Sequence, residues 1–195
     1  MRKLTGLIIG FILGFSQIGF AAADSATCAK LVKNLSTSQD IDLMVDCMDH
    51  LFFNNGEDSP PASFNNVIAI GYRVIALSPQ SEPTYINVAW LLYSKWVTWS
   101  HHPEQMPDGA LKMQESLSLL EKGAQVFSSS AAYFQDAGSL LNPAAWYESA
   151  ALAAPCEKYL IRADQLSTDP KQKTRIRLDM GHLLRHLNDI PNALI

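Results

Sequence analysis

From residue 24 onward, apolar side chains recur at spacings of three and four, and no run alternates with period two. That pattern predicts helices and no sheet. Residues 25–35 form a first short helix, ended by Ser36-Thr37-Ser38. Residues 40–53 form a second, with Ile41, Leu43, Met44, Cys47, Met48, Leu51 and Phe52 on a broad apolar face. Gly56 and the pair Pro60-Pro61 make 54–61 a loop. Ser63 caps a helix over 64–77, and Pro79 marks its end. Pro83 opens the next helix, 84–99. After the loop 101–107, Asp108 is expected to cap 109–127. Ser128-Ser129-Ser130 separates this helix from 131–141. Asn142-Pro143 predicts a break and a restart over 144–153, and Pro155 a kink or a further helix to 166. Asp169 caps 170–187. Eight or nine helices with short connections make an all-α stack.

The first 23 residues read differently. Arg2 and Lys3 precede an apolar stretch from Leu7 to Phe15, and Ala21-Ala22-Ala23 offers small residues ahead of Asp24. This is the pattern of a signal peptide, with cleavage near Ala23, and it places the chain in a periplasm or outside the cell. An uncleaved anchor is the alternative, but 4–20 is short, broken by glycine and interrupted by Gln17. No later segment is long and apolar enough to span a membrane. With Arg2 and Lys3 set aside, the remaining Lys and Arg are well outnumbered by nineteen Asp and Glu. That balance argues against nucleic acid as a partner, since phosphate binding needs clustered cations. Export to an oxidising compartment also changes how the three cysteines read. Cys28 and Cys47 lie on consecutive helices that a hairpin could bring together. The alternative is three small buried apolar residues. Either way Cys156 has no obvious mate.

Three stretches share one shape: a helix end, a short gap, then a helix with a small residue on its packing face. The first runs from Ala76-Leu77-Ser78-Pro79 to Tyr85, Val88, Ala89 and Leu92. The second runs from Ala124-Gln125-Val126-Phe127 to Tyr133, Ala137, Gly138 and Leu141, with serines in place of the proline. The third runs from Ala163, Leu166 and Asp169-Pro170 to Ile176, Leu178, Gly181 and Leu184. Small residues at such points let helix axes approach closely.

The pattern resembles the tetratricopeptide repeat family over residues 63–195, leaving 24–62 as an N-terminal helical cap or a divergent repeat. The resemblance implies an α-α superhelix of antiparallel helix pairs. It implies packing contacts at Ala89, Gly138 and Gly181, a turn at Asn188-Asp189-Ile190, and Ala193 where a last helix would dock. The sequence departs from the family in its unit spacing, stretched beyond the usual 34 or so residues by 101–108 and 142–155. On this resemblance the last repeat is expected to be incomplete at Ile195. Leu183 and Leu187 are therefore expected to be exposed unless a partner or a second copy covers them.

Candidate chemistry is sparse. His182 and His186 have the spacing that presents two imidazoles to one metal, but no Glu follows His182 and no third ligand is evident. His101-His102 could add a ligand only if the fold brings it near. No nucleophile elbow, phosphate-cradling loop or paired-carboxylate motif occurs. Asp46 and Asp49 read as a solvated face. Aromatics crowd 85–99, with Trp90 and Tyr93 on a face other than that of Tyr85, Trp96 and Trp99. Trp90, Tyr93 and Tyr133 are candidate anchors for a groove that holds a peptide or helix. The expectation is a non-catalytic protein-binding scaffold without cofactor or metal. The alternatives are a metal-binding or enzymatic protein using His182 and His186, or a structural component that oligomerises through an open C-terminal helix.

Overall fold

The computed structural model describes residues 23–53 and 61–186, and over these residues the chain is helical with no strand. Eight α-helices follow one another: α1 Ser25–Lys33, α2 Ile41–Phe53, α3 Pro61–Leu77, α4 Glu82–His101, α5 Lys112–Val126, α6 Ala131–Tyr147, α7 Ala153–Leu166 and α8 Pro170–His186. One 3-10 turn, Ala150–Leu152, leads into α7. Residues 1–22 of the expected signal peptide 1–23, the expected turn Asn188-Asp189-Ile190, Leu187 and Ala193 lie outside the described residues.

Local chemistry sets the helix starts. Asp24 accepts a hydrogen bond from the Thr27 backbone N–H at 2.7 Å, and Asp40 accepts one from that of Leu43 at 3.0 Å. Ser130 Oγ accepts from Tyr133 N–H at 3.1 Å, and Asp169 from Lys171 N–H at 3.0 Å. Each satisfies a donor that a helix start leaves open. Pro83 sits in the first turn of α4, where a missing N–H costs nothing.

Three sequence expectations fail locally. Helix α3 begins at Pro61, so Ser63 lies inside it rather than at its cap. Asp108 does not cap α5, which starts only at Lys112, because its carboxylate pairs with Lys95 instead. Pro143 does not break α6, which runs on to Tyr147. Leu140 and Leu141 before it and Ala145 after it are all buried. That burial offsets the lost backbone bond.

Consecutive helices pack along the whole series. In addition α4 touches α6, and α6 touches α8. Polar ties join these alternate helices. Ser130, at the start of α6, donates to Glu82 of α4 at 3.0 Å. Ser139 and Asn142 of α6 donate to the Asp179 carboxylate and carbonyl, each at 3.0 Å. On the other side, α5 and α7 stand apart across an open groove.

Close approaches between consecutive helices occur at small residues. A Cβ placed on Gly138 would stand 2.6 Å from Leu160 Cδ2, so side-chain bulk is excluded where α6 meets α7. Gly123 of α5 likewise lies against the Tyr133 ring of α6. Ala89 is fully buried, and its carbonyl accepts from Ser116 of α5 at 2.8 Å. Cys28 and Cys47 form a disulfide that joins α1 to α2. Leu183 is 1 % exposed, so the expected exposure of this face of α8 does not hold there. It packs in the same core as Ile176.

Candidate functional site

An open concavity lies between α5 and α7, with a volume of about 870 Å³. It continues into a smaller hollow of about 260 Å³ that shares Glu121, Lys158 and Tyr159. The groove follows from the spacing on α7. Lys158, Ile161, Arg162 and Gln165 recur at three and four, so they share one face, while Cys156, Leu160 and Ala163 turn into the core. Phe134 of α6 and Tyr159 of α7 form an almost fully buried floor, their rings 6.0 Å apart. The Arg162 guanidinium lies over Phe134, 5.9 Å from the ring centroid. Arg162 also donates to the Ser128 carbonyl at 3.3 Å. Ile161 is 39 % exposed on the wall.

One ion pair crosses the groove, Lys158 to Glu121 at 3.8 Å, with both side chains mostly in water. Such a pair is worth about 0–1 kcal/mol, so an incoming group can displace it easily. The walls thus offer both charge signs around an aromatic and aliphatic strip. That arrangement suits a side-chain-rich peptide surface. It holds no nucleophile paired with a base.

The residues singled out from sequence fall elsewhere. Tyr133 lines no groove: it is fully buried, and its hydroxyl donates to the Leu120 carbonyl at 2.7 Å. Its aromatic ring fills the space that Gly123 leaves open, which is a core role. Trp90 is half-buried and meets Phe52 of α2 edge-on, with centroids 5.5 Å apart. Tyr93 is half-buried against Trp96, and burial, with the Glu148 charge, pushes its hydroxyl pKa up to about 12. Gly181 is half-buried on α8. His182 is exposed, and the side chain of His186 lies outside the described set. Among the described residues no three His, Cys, Asp or Glu side chains converge as metal ligands. His101 instead pairs with Glu148 at 3.1 Å.

Cys156 is buried, and its thiol lies 3.3 Å from the Gly138 carbonyl as donor. Burial, then Asp179 and Glu157, raises its pKa to about 12, so it carries almost no thiolate near neutral pH. Sequence reasoning missed Lys95. It is fully buried on α4, with its ammonium on Asn65 of α3 and Asp108 of the following loop. Holding both partners at once, it straps the loop to α3 and α4. Its being the one Lys or Arg on α4, among Leu91, Leu92, Tyr93 and Trp96, was the available signal.

No helix of the described residues is long and apolar enough to cross a membrane. Compared with known proteins, the chain matches no family model, no curated protein and no solved structure.

Proposed function

We propose that the protein is an exported, non-catalytic helical scaffold that seats a segment of a partner protein in the groove between α5 and α7. The observation that carries this reading is the open concavity of about 870 Å³ with Phe134 and Tyr159 as its floor. Buried aromatic surface, an aliphatic wall at Ile161 and a mixed-charge rim are the features that anchor protein segments. The tetratricopeptide kind of superhelix is part of the proposal. Its support is that α4 touches α6 and α6 touches α8 while α5 and α7 stand apart, which curves a stack of helix pairs. The Cys28–Cys47 disulfide and the signal-like first 23 residues support an oxidising, exported setting.

The test is site-specific photo-crosslinking in extract from the compartment where the chain resides. A benzophenone side chain at Ile161 is expected to give discrete protein adducts. The same group at exposed Asn87 on α4 is expected to give none of them. Identical adducts from both positions, or none from Ile161, would overturn the proposal.

A further inference from the structure

Charge is unevenly placed along the series. Helix α8 carries Lys171, Lys173, Arg175, Arg177 and Arg185 against a single acid, Asp179, in a chain with fifteen Lys and Arg and nineteen Asp and Glu. Helix α2, near the other end of the described series, carries Asp42, Asp46 and Asp49 and no Lys or Arg. In α2 the three aspartates share one face, and in α8 Lys171, Arg175 and Arg185 share one, whereas Lys173 and Arg177 lie on another, where Arg177 pairs with Asp164 at 3.1 Å. Lys171, Arg175, Leu178, His182 and Arg185 follow each other at steps of four and three, and all five are exposed. Asp42, Asp46 and Asp49 follow the same steps, opposite the buried Met44, Cys47 and Met48.

Among the described residues, Lys171, Arg175, Arg185 and the three aspartates form no ion pair, and Lys30 and Lys33 of neighbouring α1 form none with them. Like charges four apart on a helix repel by about 0.2–0.5 kcal/mol per pair, so each stripe weakens its own helix. Asp46 and Asp49 are half-buried, and burial first, then the Asp46 charge, raises the Asp49 pKa. In the middle of the basic stripe, Leu178 is 57 % exposed. Beside the acidic stripe lies half-buried Val45, which packs against the core.

We infer that copies of this chain associate head to tail, the basic stripe of α8 in one copy seating against the acidic stripe of α2 in the next. Two helical stripes with the same period and opposite sign relieve both sets of repulsions at once. Such a contact uses different surfaces on the two copies, so it leaves one stripe free at each end and extends into short chains or closes into rings. The inference is independent of the α5–α7 groove, which neither stripe borders.

Sedimentation velocity of the purified chain over a concentration series tests it. In roughly 20 mM NaCl, where charges reach about 20 Å, the mean mass should rise with concentration; in roughly 300 mM it should rise at concentrations at least about tenfold higher. K171E/R175E and D42K/D46K should each stay monomeric, with helical content and melting temperature close to the parent. Mixed together they should associate again, because one now carries two acidic stripes and the other two basic ones. A parent chain monomeric at every concentration in low salt would overturn the inference. So would variants that associate like the parent, or a mixture that stays monomeric. Binding of the monomer to anionic lipid vesicles without self-association would assign the basic stripe to a membrane surface instead.

Discussion

Gly138 and Leu160 meet where α6 crosses α7, with the Leu160 side chain occupying the place of a Gly138 Cβ and the Leu160 backbone nitrogen 3.3 Å from it. The rest of this crossing is equally close, since the neighbouring Cys156 thiol reaches the Gly138 carbonyl. A methyl group here must push both a fully buried leucine and the α7 backbone. Gly138→Ala should therefore destabilise the fold by about 1–3 kcal/mol, despite the better helix propensity of alanine. Urea unfolding checks this, with exposed Ser118→Ala as a control expected to stay within about 0.5 kcal/mol.

Tyr133 makes a second, polar test of the same packing. Its hydroxyl donates to the Leu120 carbonyl in the core, beneath Gly123. Tyr133→Phe keeps the ring and removes the bond, so about 0.5–1.5 kcal/mol should be lost. Gly123→Ala should lose more, because the added carbon would collide with the tyrosine oxygen itself. A Tyr133→Phe variant as stable as the parent would show that this bond adds nothing.

Asp136 gives a pH signature. Burial, then the nearby Glu82 charge, raises its pKa from 3.8 to about 6. The folded chain thus holds this proton more tightly than the unfolded chain does. The penalty for ionising it is absent below about pH 3.8, grows between 3.8 and 6, and is complete above 6. Asp136→Asn should therefore raise the melting temperature at pH 7.5 and change it little at pH 3.5. An equal gain at both values would trace the effect to something other than ionisation.

The disulfide joins positions 19 apart and closes a small loop over α1 and α2. Paired Cys28→Ser and Cys47→Ser substitution should cost about 3 kcal/mol by the loop-entropy relation. The loss should centre on α1, which packs mainly on α2. Hydrogen exchange would locate it: protection should fall first over Ser25–Lys33.

The helical class was legible because its signals are local. Apolar spacings of three and four recur along the chain, and the expected cap Asp169 sits where α8 starts. Pro143 was misread because local chemistry argues for a break there, whereas the burial around it is a property of the assembled stack. Asp108 was misread for a similar reason. Its side chain can cap a helix or neutralise a buried cation, and only the fold shows that Lys95 lies within reach. Tyr133 was placed on a surface because aromatic residues serve equally as anchors and as core, and the gap at Gly123 that receives it is visible only in three dimensions. The α5–α7 groove had no sequence signal. It is built from the polar faces of two helices that are not consecutive, and each face alone reads as solvated.

The most direct test of the scaffold reading uses the partner captured by the Ile161 crosslink and measures its affinity for the unmodified chain and for an I161E/R162E variant. Both positions are exposed on the groove wall, so the variant should melt within a few degrees of the parent. The scaffold reading expects the variant to bind at least about tenfold more weakly. Equal affinity in the two proteins would contradict it.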